Sequence, residues 1–329
     1  MTLAELVAAM GLCGVIAYGV LGGADFGGGI WDLCAAGPRK QEQRAAIARA
    51  MGPVWEANHV WLIFVIVLLF TAFPAAYAAL SVALFGVFHL VLIGITLRGA
   101  AFVFRGPKTG SRDAGMWGTV FGVASVMTPV LLGMAVGAVS SGELRIHAGQ
   151  IVLGQVLPWL APVSLIIGAL ALALCAYLAA VYLINETQGT LQEDFRRRAL
   201  LAGTVVVGLA ILLLPLLARE TPHLWAGLTS LRAAPVFLTG IAAALLSGLA
   251  LWRRRHRLAR ASAIIQVALL LAGWGLAQHP YLIYPDMTLP DAAAGEPTLL
   301  FVVWAVPLGL LLLLPSLWLL FRVFQPARA

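Results

Sequence analysis

The sequence predicts an all-α, polytopic transmembrane bundle of about nine spans, its N-terminus outside the cytoplasm and its C-terminus inside. Three observations predict it. Of 329 residues, 61% are hydrophobic and 11% charged, with a mean hydropathy of +0.95, and no soluble core hides that much apolar surface. Runs of some twenty apolar residues recur, the length that a helix rising about 1.5 Å per residue needs to cross ~30 Å of hydrocarbon. Lys and Arg also gather in alternate connections.

The first run, 3–33, lacks the basic leader of a removable signal peptide and ends acidic and glycine-rich, so it is expected to stay in the mature chain. Spans follow at 54–73, 77–104, 116–139, 155–184, 199–218, 233–252, 261–279 and 298–323. Each is continuously apolar, unlike the in-and-out alternation of a membrane β-strand, and a helix satisfies its own backbone groups where lipid cannot. With the N-terminus outside, the inner connections hold Arg39, Lys40, Arg44 and Arg49, then Arg98, Arg105, Lys108 and Arg112, then Arg196, Arg197 and Arg198. Arg253, Arg254, Arg255, Arg257 and Arg260 come next, then Arg322 and Arg328, so eighteen of the 21 basic residues lie inside. Only Arg145, Arg219 and Arg232 fall outside, and retained positive charge orients membrane chains. The net charge of +7 is therefore topological; it implies affinity for anionic lipid headgroups and no nucleic-acid partner. The connections near 140–154, 219–232 and 280–297 are too short to fold alone, so 1–329 is read as a single membrane domain.

Ionisable side chains inside spans are costly, which makes them the first functional candidates. Asp25 lies 22 residues, or roughly 33 Å, along the first span. Glu56, Asn58 and His59 open the second, and Arg98 lies 21 residues after the start of the third at 77. All converge in one layer near the cytoplasmic side. Glu56 and His59, three apart, share a helical face along which a proton could pass. One reading of the layer is a proton entry path from the cytoplasm; the other is a polar cluster that fixes helix packing.

Gly19, Gly23 and Gly27 stack at four-residue spacing, a face for close helix approach, within the chain or against another subunit. Trp31, Trp55, Trp117, Trp159, Trp225 and Trp252 fall near span ends, where indoles favour the headgroup boundary. Cys13, Cys34 and Cys175 form no Cys-x-x-Cys pair and read as small buried side chains. No span contains two histidines, so stacked haems find no ligand series; His89 reads as buried and hydrogen-bonded, and His147, His223 and His256 as loop residues. No Walker loop, dinucleotide fingerprint, His-Glu-x-x-His or nucleophile elbow occurs. Gly22–Gly29 imitates a phosphate loop but follows no strand and precedes no Walker lysine.

Two stretches, Gly22-Gly-Ala-Asp-Phe-Gly-Gly-Gly-Ile-Trp-Asp-Leu33 and Gly52-Pro-Val-Trp-Glu-Ala-Asn-His-Val-Trp-Leu62, with Phe70-Thr-Ala-Phe-Pro74, resemble subunit II of the cytochrome bd-type quinol oxidases, the cyanide-insensitive branch included. The likeness is specific over the first 105 residues and rests on hydropathy beyond the fourth span. It implies a complex in the bacterial cytoplasmic membrane that oxidises membrane quinol, reduces dioxygen to water and draws protons from the cytoplasm. It implies that haems b and b or d reside in a haem-bearing subunit I, with no cofactor assigned to this chain alone. In some members a structural quinone or a small accessory subunit accompanies subunit II. It maps the family's carboxylates to Asp25 and Glu56, the latter an Asp in many members, both placed on a proton route. Glu at 56 is one methylene longer, so the geometry of that route need not match. Two alternatives stand beside this reading, a proton-coupled secondary transporter and a purely structural membrane subunit; the one-sided polar layer and lack of a visible repeat disfavour transport.

Overall fold

The computed structural model describes residues 1–51, 55–104, 111–147, 150–153 and 157–324. Helix α1 (Leu3–Leu33) starts on a reciprocal cap: the Glu5 N–H donates to the Thr2 hydroxyl, and the Thr2 N–H donates to the Glu5 carboxylate. There follow α2 (Lys40–Met51), α3 (Trp55–Ala72), α4 (Pro74–Ala83), α5 (Phe85–Phe104) and α6 (Ser111–Ser141). A hairpin of β1 (Leu144–His147) and β2 (Gln150–Leu153) leads to α7 (Pro162–Glu186), α8 (Gly189–Glu220), α9 (Pro222–Leu228), α10 (Ala234–Trp252) and α11 (His256–Gln278). A second hairpin, β3 (Tyr281–Ile283) and β4 (Met287–Thr288), precedes α12 (Leu289–Ala292) and α13 (Glu296–Phe324). Among the described residues eight helices are long and apolar enough to cross a membrane, or nine if one bent pair counts as a span. That is the expected all-α bundle.

The bent pair revises the expected third span. The second run ends at Ala72, Phe73 leaves helical geometry at φ −134° and ψ 58°, and Pro74 starts α4, turned by 118° from α3. Proline suits a first helical turn because it has no N–H to leave unsatisfied. Residues 77–83 thus belong to α4, and the next membrane-length helix begins at Phe85. The expected sixth span at 199–218 is extended instead. Helix α8 starts at Gly189, so Arg196, Arg197 and Arg198 are helical, and buried Phe195 and Ala199 anchor that polar stretch to the core. Helix α2, read as connection in the sequence, buries Ala46 and Ile47 in the same core.

The arginine-bearing end of the bundle is called the basic end below, and the end where α1 starts the opposite end. One core cluster lies toward the basic end, built from the second half of α1 with α2, α7, α8 and α11. Another joins the start of α1 to α3–α6, the second hairpin and α13. Helices α6 and α7 occupy the centre and are mostly buried, whereas α13 is largely exposed along its apolar length. Small residues permit that: a Cβ on Gly133 would lie 2.8 Å from the Gly168 Cα, and one on Gly137 2.5 Å from the Ser164 Cα.

Candidate functional site

The site forms where α1 passes α5 and α6. Asp25, on the last third of α1, and Arg98, on α5, are each 1% exposed. The Arg98 guanidinium stands 2.8 Å from Asp25 Oδ1 and donates to the Asp25 backbone carbonyl at 3.0 Å. Its Nε donates to Ser125 Oγ at 3.1 Å, and Ser125 donates to the Phe121 carbonyl at 2.7 Å. Phe26 and Phe121 face the guanidinium, its Cζ being 5.1 and 4.9 Å from their ring centres. Gly29 lets α6 come this close, since a Cβ there would lie 2.0 Å from Ser125 Oγ.

An ion pair removed from water persists only when its geometry and remaining hydrogen bonds offset a desolvation cost of several kcal/mol per ion. Arg98 meets that condition. Asp25 meets it less fully, because Oδ2 is buried with no hydrogen-bond partner among the described residues. Arg98 lies 13 residues into α5, not 21 into a longer span, and its layer is set by packing against α1 and α6. His59 on α3 completes the near side, its ring centre 5.9 Å from Phe26 and 6.0 Å from Tyr18. Asn58 is buried beside it in sequence. Glu56 falls in the first turn of α3, three residues before His59, but its side chain lies outside the described residues.

Gly19, Gly23 and Gly27 face neighbours in this chain. A Cβ at Gly19 would meet Leu271 of α11 at 2.6 Å, and one at Gly23 would meet Leu178 of α7 at 3.3 Å. At Gly27 it would lie 1.9 Å from the Cys175 carbonyl oxygen, so α1 and α7 touch backbone to backbone there. The same crossing claims Trp31, expected at a headgroup boundary. It is buried and donates its indole N–H to the Ala176 carbonyl at 2.7 Å.

A polar network covers the layer on the basic side. Arg39 binds Asp194 through two nitrogens at 2.8 and 2.6 Å, Gln43 donates to Asp194 at 3.3 Å, and Arg198 donates to Gln43 at 2.7 Å. Arg44 donates to the Asp32 carbonyl at 3.3 Å. Asp32, at the end of the first run, is buried. Ser125, Phe26 and Phe121 were missed, because a serine and two phenylalanines in apolar runs carry no signal until α5 and α6 are docked. Arg105, Lys108 and Arg328 lie outside the described residues.

Other histidines and cysteines depart from expectation. His89 bonds the Phe85 carbonyl through Nδ1 at 2.8 Å but is exposed on the surface of this chain. His223 is no free loop residue: it stacks on Tyr284 at 4.7 Å. Cys175 is buried, whereas Cys13 and Cys34 are exposed. Among the described residues no three His, Cys, Asp or Glu side chains gather as a metal ion would require. One acid, one guanidinium and one imidazole among phenyl rings form a donor set suited to handling a proton.

A family model described as cytochrome bd terminal oxidase subunit II matches residues 3–324. The chain is 21% identical over 326 residues to the putative cytochrome bd menaquinol oxidase subunit II of Bacillus subtilis, covering 94% of this chain and 92% of that one. It is 29% identical over 184 residues to the cytochrome bd ubiquinol oxidase subunit 2 of the same organism, covering 56% and 54%. It is 28% identical over 200 residues to the cytochrome bd-I ubiquinol oxidase subunit 2 of Escherichia coli, covering 59% and 51%. The last two alignments span about half of those relatives. A chain in the structure of bd oxidase from Geobacillus thermodenitrificans has the same fold, with a TM-score of 0.84 at 23% identity over 98% of this chain and 99% of that one.

Proposed function

Because the chain belongs to the cytochrome bd terminal oxidase subunit II family, we propose that it works as a multi-pass membrane subunit of a quinol:oxygen oxidoreductase, beside a haem-bearing subunit I. The relatives' names divide between menaquinol and ubiquinol, so the substrate is assigned only as a membrane quinol. The haems belong to subunit I in this reading, and the bacterial inner membrane surrounds the pair.

Within the complex, Asp25, Glu56 and His59 are assigned to proton uptake from the basic side, with Asn58 and Arg98 in support. The observation that carries this is the Asp25–Arg98 pair, each residue 1% exposed within membrane-length helices. Such a pair is expensive in that setting, and proton relays are a common reason for one to be there. Arg98 stands against Asp25 Oδ1, which leaves Oδ2, without a hydrogen-bond partner among the described residues, as the oxygen placed to take up a proton. His59 sits against the same aromatic wall, and Glu56 precedes it by three residues on α3, so we assign the uptake steps in the order Glu56, His59, Asp25.

A second reading has an observation of its own. Two of the bonds of Arg98 go to the Asp25 carbonyl and to Ser125, which ties three helices together whatever the carboxylate does. Turnover of the purified two-subunit complex separates the readings. Asp25→Asn and Glu56→Gln should each assemble with full haem content and slow quinol-dependent oxygen uptake by at least about tenfold, ~1.4 kcal/mol in barrier. Full uptake and proton release in both variants would make the cluster purely structural. Reduced-minus-oxidised spectra test the division of labour. Haem in this chain expressed alone would overturn it, and a haem-free assembly would favour transport.

A further inference from the structure

Tyr18 lies on α1, seven residues before Asp25 and therefore on the same face, about 10 Å along the helix. Its ring rests over Gly22: a Cβ there would lie 2.8 Å from Tyr18 Cε2, 3.0 Å from Cδ2 and 3.4 Å from Cζ. Any side chain at 22 would fill the space the phenol uses. The ring thus extends one turn toward the Asp25 layer, where it meets Phe26 edge-on at 6.5 Å and His59 at 6.0 Å. Its hydroxyl is buried and has no hydrogen-bond partner among the described residues.

A buried hydroxyl left unsatisfied costs about 1–3 kcal/mol, and globular interiors remove that cost with internal water bound to two or more polar groups. Asp25 Oδ2, on the same helix face, has the same need. We propose that Tyr18 Oη and Asp25 Oδ2 share internal water, and that the Tyr18 hydroxyl relays protons from Asp25 toward the middle of the bundle. In each step Oη accepts a proton from water on the Asp25 side and releases its own to water on the far side, so the phenol ends unchanged. Gly22 is the positioning residue, since its missing side chain holds the ring in place. The proposal rests on the proton-uptake reading and adds the next group along that route.

The test uses the purified two-subunit oxidase. Tyr18→Phe keeps the ring against Phe26 and His59 and deletes only the oxygen. It should retain haem content and the KM for quinol, lose about tenfold in kcat, ~1.4 kcal/mol, and show a larger rate ratio between H2O and D2O. Gly22→Ala keeps the hydroxyl but displaces the ring, and should reproduce the kcat loss. Asp25→Asn is measured alongside. If it is slow while both other variants match the parent in kcat and isotope ratio, the relay is overturned and the uptake path stands. If Asp25→Asn is itself as fast as the parent, the uptake path falls and takes the relay with it.

Discussion

Arg98 shows how much of this protein's stability turns on a single side chain. It is among the largest fully buried residues, and among the described residues its ion pair, side-chain hydrogen bonds and ring contacts go to α1 and α6. Removing the guanidinium would leave the Asp25 carboxyl without its counter-charge in a low-dielectric interior, and breaking a buried pair from one side costs about 3–5 kcal/mol. Arg98→Met should therefore sharply lower the thermal unfolding temperature of the complex, and adding Asp25→Asn should restore a large part of it. No recovery in the double variant would mean that the bonds to the Asp25 carbonyl and Ser125, not the charge pair, hold the helices. The sequence marked Asp25, Arg98 and His59 because charge in an apolar run is conspicuous. It could not mark Tyr18, Phe26 or Ser125, which look like ordinary residues of a membrane helix until the neighbouring helix is placed.

Among the elements, the α1–α7 crossing and the hairpins opposite the basic end make contrasting cases. At the crossing, the space for a Gly27 side chain is taken by backbone, with the Cys175 carbonyl oxygen 1.9 Å from where a Cβ would stand. Gly27→Ala should separate the helices and cost roughly 1–3 kcal/mol in unfolding. Gly86→Ala, where nothing lies within 4 Å, should not. The glycine spacing was legible in the sequence, but the identity of the facing helix was not, because a small face fits any close neighbour.

At the hairpins, Asp286 accepts from Arg145 Nε at 2.9 Å and from the Ile146 N–H at 2.7 Å, pinning β1 to the turn between β3 and β4. Burial pushes the Asp286 carboxyl up, but the Arg145 guanidinium and the Ile146 amide outweigh it and hold it below the usual range. A lowered carboxylate stabilises the fold above its unfolded value of about 3.9, and that stabilisation is lost as pH falls through the lower folded value. Protection of the Ile146 amide against hydrogen exchange, relative to an unstructured amide at the same pH, should therefore be high at neutral pH and fall under acid. Asp286→Asn should remove the pH dependence at a cost of about 1 kcal/mol, since the Arg145 end of the pair is 46% exposed and screened by solvent.

At the scale of the whole molecule, the charge asymmetry predicts which way the bundle sits. Single cysteines introduced at Arg255 and at Glu143, in a background without Cys13 and Cys34, should react with an impermeant thiol reagent from opposite sides of the membrane, Arg255 from the cytoplasm. Labelling of both from one side would break the odd-span topology. Composition and run length were enough to determine a membrane bundle of about nine helices, because transfer of apolar residues into hydrocarbon is a local property that sums along the chain. The two motif stretches were enough to suggest the family. Tertiary structure alone decided that α4 turns aside at Pro74, that α8 carries its arginines as helix, that His89 faces outward and that Tyr18 leans over Gly22 toward Asp25. Those outcomes depend on helix rotation and on which faces meet, and in an apolar span every face reads alike until a neighbour chooses one.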